Sequence, residues 1–116
     1  MDCKTDVCMC PGDMAPEEIP ACVLADIAGR IDARQTPWHI QNNGERAALA
    51  AYALHRFAEQ TGLAQDGETT WTVITDFLAD MMHLCAELGI ITPDKNLLPD
   101  LLEGAEFHFS AEDEDE

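Results

Sequence analysis

Four side chains that can bind metal ions or move protons recur at helical spacing in this sequence: Asp76, Asp80, His83 and Glu87. They stand at i, i+4, i+7 and i+11, which on an α-helix places them within about 60° of one another. Consecutive members lie about one turn apart, close enough to share a ligand. Carboxylate and imidazole donors on one face are the raw material of a metal centre or a small metal-dependent hydrolase. His108 and Glu112, again four apart, would complete that set from a neighbouring helix. A second candidate is built on sulfur. Cys3, Cys8, Cys10 and Cys22 follow one another as C-x4-C-x-C-x11-C. Four thiolates would hold one zinc ion, as in a zinc-stapled adaptor, although the paired C-x2-4-C knuckles of zinc fingers are missing. Cys85 falls on an apolar stripe and reads as a small buried hydrophobe, not a nucleophile. An odd count of five cysteines, with no secretory signal in Met1-Asp2-Cys3-Lys4-Thr5-Asp6, predicts reduced thiols and a cytoplasmic location.

The charge balance offers a different use for the same carboxylates. The chain carries 23 Asp and Glu against 6 Lys and Arg, a formal charge of −17 over 116 residues. After Leu63 the only cation apart from histidine is Lys95. Such a surface repels nucleic acid and anionic membrane and attracts basic protein surfaces. Asp76, Asp80 and Glu87, with Glu103 and Glu106, then become a partner-binding array. Successive carboxylates one turn apart are about 6 Å apart along the axis, and DNA phosphates also present negative charge in rows. A rigid acidic helix of this kind would occupy a nucleic-acid-binding groove by mimicry. The plainest alternative is the solvated face of an amphipathic helix.

The elements that must position these residues are helical. Residues 1–19, with Pro11, Gly12 and Pro16, predict an irregular cysteine-bearing arm. Val23, Leu24, Ile27 and Ile31 predict a first helix from about Pro20 to about Arg34. Gln35 to Asn43 reads as a connector, with Trp38 and Ile40 tucked back onto the core or Trp38 exposed as an anchor. A second helix is expected from an Asn42 or Asn43 cap to Gly62, with Ala47, Ala50, Ala51, Leu54, Phe57 and Ala58 inward. His55 falls on its polar side. The third helix, from a Thr69 or Thr70 cap to Gly89, carries Ile74, Leu78, Met81, Cys85 and Leu88 at steps of four and three, flanked by Phe77 and Leu84. That stripe predicts the spine of the core, with Trp71 as a packing anchor. Thr92 and Pro93 would open a further turn, and Leu97, Leu98, Leu101 and Leu102 a shorter fourth helix to about Phe109. Residues 110–116 predict a disordered acidic tail. The fold class is therefore all-α: three main helices, a short C-terminal one, and a helical domain over 20–109. Trp71 to Ile91, the longest apolar stretch, is broken by Asp76, Asp80, His83 and Glu87 and does not suit a bilayer.

The run Thr75-Asp76-Phe77-Leu78-Ala79-Asp80-Met81-Met82-His83-Leu84-Cys85 resembles a D-L-L-A-D-L-M-H-L signature of small proteins from phages, plasmids and integrative elements. In that group a further helix ends in H-[YF]-x-A-E, matched here by His108-Phe109-Ser110-Ala111-Glu112. The resemblance spans residues 71–113, and extra Pro and Asn residues between Ile90 and Leu98 depart from it. It implies a mobile genetic element as the setting and carries no activity with it. Acidity and setting together lead to the expectation of a non-enzymatic inhibitor of a basic, nucleic-acid-handling host protein, of the anti-CRISPR or anti-restriction type. It would bind no nucleic acid itself and need no cofactor.

Overall fold

The computed structural model describes residues 15–32, 34–65 and 67–115, with only the backbone for 113–115. It is all-α. Four helices follow in order: α1 (Val23–Ala28), α2 (Asn43–Thr61), α3 (Thr70–Glu87) and α4 (Leu98–Asp115), preceded by a single 3-10 turn, Pro16–Glu18. Among the described residues there are no strands beyond two isolated bridges, Pro20 to Thr69 and Ile91 to Asn96. The chain forms two compact units, one ending at Phe77 and the other beginning at Leu78.

In the first unit, α1 covers six residues, not the longer run from Pro20 to Arg34 expected from its apolar spacing. It ends at Gly29, whose N–H donates to the Ala25 carbonyl at 3.1 Å. Glycine costs about 1 kcal/mol relative to alanine inside a helix, and so short a helix has few bonds over which to recover that cost. The α2 boundaries are set by side chains. Asn42 is the N-cap, and its Oδ1 accepts the Glu45 N–H at 2.9 Å. Glu45 Oε1 in turn accepts the Gln41 N–H at 2.8 Å, a reciprocal pair of the capping-box kind. At the other end Gly62 adopts φ +83°, a left-handed conformation that a side chain would oppose. The segment before α1 is stitched to the start of α3. Ala21 N–H donates to the Glu68 carbonyl at 2.9 Å, and Thr70 N–H to that of Ile19 at 2.7 Å. Thr69 caps α3 by accepting the Thr72 N–H at 3.2 Å.

The core of this unit consists of Ala21, Leu24, Ala28, Ala51, Ala58 and Val73, with Ile27, Leu54, Phe57 and Leu63 packed around them. Alanines let α1 and α2 approach closely, and Phe57 meets Phe77 edge to face at 5.3 Å. On α2 the buried alanines are Ala48, Ala51 and Ala58, while Ala47 and Ala50 face solvent. The expected spine of α3 is not the core. Ile74 is 42% exposed, Leu78 52%, Met81 38% and Leu88 64%, and only Cys85 of that stripe is buried. The buried residue is Val73, one position and about 100° away from Ile74. Trp71, expected as a packing anchor, is also exposed. Periodicity locates an apolar face but does not say what covers it.

The second unit begins inside α3. After Glu87 the chain turns at Gly89 (φ +78°), and the N–H groups of Ile90 and Ile91 both donate to the Cys85 carbonyl. Thr92 Oγ1 accepts the N–H groups of Asp94 and Lys95. It closes a small hairpin, in which Leu97 N–H donates to the Ile90 carbonyl, where a helical turn was expected. Asn96 Oδ1 accepts the Leu98 N–H at the entry to α4. α4 has 18 residues and runs through Asp115, well past the expected end near Phe109 and into the stretch read as a disordered tail. Leu, Glu and Ala in its body are strong helix formers, and a helix once nucleated propagates at little cost.

Candidate functional site

The carboxylates singled out in the sequence all reach solvent. Asp76, Asp80 and Glu87 project from α3, and Glu103 and Glu106 from α4; each is exposed. α3 is continuous from Thr70 to Glu87, so Asp76, Asp80, His83 and Glu87 do share one face, opposite the apolar stripe. Two ion pairs occur among the described residues: Asp32 with Arg34 at 3.0 Å, and Glu59 with His55 at 3.3 Å. Neither involves the acidic face. Lys95 is the one cation besides the histidines from Leu78 onward, against eleven carboxylates in the same stretch. Among the described residues, then, no ion pair neutralises Asp76, Asp80 or Glu87.

Among the described residues, no group of three or more His, Cys, Asp or Glu side chains is placed to hold a metal ion. His83 is exposed on α3, and His108 stands on α4 with its ring 6.2 Å from that of Phe107. Glu112 is half-buried near the end of α4. Helical spacing aligned the donors along each helix, but a metal site needs donors converging on one point. Of the cysteines, Cys85 is a buried free thiol, as its place on the stripe implied. Cys22 is disulfide-bonded, where reduced thiols were expected. Cys3, Cys8 and Cys10 lie outside the described residues.

The sequence reading assigned Leu78, Met81 and Leu88 to the spine of the core, and the structure places them at the surface. In the second unit Leu78, Met81, Met82, Leu84, Leu88, Leu97, Leu101, Leu102, Phe107 and Phe109 are all exposed. The two phenylalanines are the extreme, at 73% and 71%. One signal for this was available. Residues two apart on a helix point about 200° from each other, so no single neighbour can cover both Phe107 and Phe109. A shallow hollow of about 380 Å³ lies elsewhere, in the first unit, lined by Gln35, Trp38, His39, Gln41 and Glu45. Trp38 is half-buried there, and its Nε1–H has no acceptor.

Comparison with known proteins gives no family to which the chain belongs: no family model, no curated protein and no solved structure matches it. No described helix is long and apolar enough to cross a membrane.

Proposed function

We propose that this is a non-enzymatic binding protein that occupies a basic, nucleic-acid-handling surface on another protein and so inhibits it. Its setting would be a mobile genetic element and its target a host protein in the cytoplasm, as with anti-restriction and anti-CRISPR inhibitors. The observation that carries this reading is the exposed acidic face of α3, with Asp76, Asp80 and Glu87 in a row and no basic partner for them among the described residues. Glu103 and Glu106 extend the same sign of charge onto α4. Held on a helix, the α3 carboxylates keep fixed spacings along the axis, about 6 Å from Asp76 to Asp80 and about 10 Å from Asp80 to Glu87. Fixed charge favours fast, oriented encounter with a basic groove and repels nucleic acid itself.

The test is displacement. The tagged protein is used to capture partners from host lysate at low salt, and each captured protein is assayed for DNA or RNA binding with and without the acidic chain. A partner that loses its nucleic acid to this protein supports the proposal. Its complex should weaken when salt is doubled, because the screening length shrinks as ionic strength rises. Replacing Asp76, Asp80 and Glu87 by Asn, Asn and Gln should reduce displacement about tenfold or more. Capture that is indifferent to salt and to the triple substitution would refute the assignment of the acidic face.

A further inference from the structure

We infer that the unit beginning at Leu78 is a docking surface for a basic amphipathic helix of the partner, read through its apolar stripes as well as its charge. The inference rests on the acidic-surface reading and adds the element of the partner that is recognised. Three observations support it.

First, the exposed apolar side chains are large and ordered by helical geometry. On α3, Leu78, Met81, Met82 and Leu88 fall on one stripe around Cys85. On α4, Leu98, Leu101, Leu102, Ala105 and Phe109 fall within an arc of about 100°. Each stripe leaves several large apolar side chains in water, and exposed apolar surface of this kind marks interaction sites. Second, α4 does not run alongside α3 within this unit. Most helix stability in proteins comes from packing of an amphipathic face, and the stripe of α4 lacks such a covering from α3.

Third, charge selects the occupant. Glu106 borders the α4 stripe about 40° beyond Leu102, and from Leu78 onward eleven carboxylates stand against Lys95 alone. A helix with an apolar face and flanking Lys or Arg would place leucines on a stripe and cations against these carboxylates. Exposed Met81 and Met82 suit such an occupant, since the unbranched thioether adapts to different packing partners. A second copy of this chain would bring a unit with eleven more carboxylates and one lysine. The chain's own first 14 residues carry Asp2, Asp6 and Asp13 against Lys4 alone and have the wrong charge.

The test uses the full chain and three fluorescent probes of equal positive charge: a Leu/Lys peptide of about 18 residues with helical apolar periodicity, a scramble of the same composition, and oligolysine. Anisotropy should show the amphipathic peptide binding about tenfold or more tightly than its scramble, with oligolysine weaker and salt-sensitive. L101Q/L102Q/F109Q should abolish the preference for the amphipathic peptide while leaving oligolysine binding in place. L78Q/M82Q on α3 is the second variant, used if circular dichroism shows that α4 melts in the first. Equal affinity for peptide and scramble, with oligolysine bound, would overturn this inference and leave the acidic-surface reading standing. Failure of oligolysine to bind would overturn both. Light scattering gives the remaining outcome: a dimer that strengthens with salt and disappears in L101Q/L102Q/F109Q would show that a second copy covers the stripes, against the inference.

Discussion

Val73→Ala is the substitution that best separates the observed core from the one periodicity suggests. Val73 is fully buried at the start of α3, among Ala21, Leu24, Ala28, Ala51 and Ala58. Truncation to alanine removes two methyl groups from an apolar site, a transfer loss of about 1.6 kcal/mol at about 0.8 kcal/mol per carbon. The small neighbours cannot swing in to fill the gap. A residual cavity of about 50 Å³ adds about 1.2 kcal/mol, for a total near 3 kcal/mol. Leu78→Ala removes more carbon, but from a side chain that is half exposed. Its expected cost is about 1 kcal/mol with no cavity term. Had the α3 stripe been the core spine, the order would be reversed, with Leu78→Ala costing 2–5 kcal/mol, the usual range for a buried leucine. The assay is urea denaturation followed by circular dichroism at 222 nm, at protein concentrations where light scattering shows a monomer. Urea midpoints are compared at constant slope. Equal or greater destabilisation by Leu78→Ala in the monomer would refute this account of the core.

Two further predictions concern local structure. Asn42→Ala removes the acceptor for the Glu45 N–H and should cost about 1 kcal/mol, with Asn42→Asp retaining most of the stability; the same denaturation assay reads both. The Asp32 carboxyl is held below its ordinary value by hydrogen bonds from the Arg34 side chain and then from the Arg34 backbone N–H, opposed by slight burial. The charged form is the one the fold favours, so this contact contributes fully above the unfolded-state value and fades as pH falls through the lowered one. A carboxyl carbon NMR titration should place the Asp32 midpoint below the usual aspartate range, and Arg34→Gln should return it there.

Element identity was legible in the sequence because it depends on local chemistry. Asn42 and Gly62 mark α2, and Thr69 and Gly89 mark the ends of the α3 region, through side-chain acceptors and left-handed turns that need no distant partner. Two boundaries were not legible. α1 stops at Gly29 although Ile31 continues its spacing, and α4 continues through acids that read as a tail. Both depend on cooperative extension, which residue types and spacing alone weigh poorly. The acidic face of α3 could be read from spacing, since a helix fixes which of its own residues are neighbours. Whether His108 and Glu112 would join it could not, because that requires knowing where another helix lies.

What the sequence alone determined is therefore the all-α class, the helix caps, the buried Cys85 thiol and the alignment of Asp76, Asp80, His83 and Glu87. All of these follow from interactions within a few residues of the chain. Tertiary structure alone decided that Val73 and the alanines of α1 and α2 form the core, while Leu78, Met81, Leu88, Leu101 and Phe109 meet water. An apolar stripe has the same spacing whether it faces its own chain or another molecule. Burial is a property of what stands opposite, and that is written only in the packing.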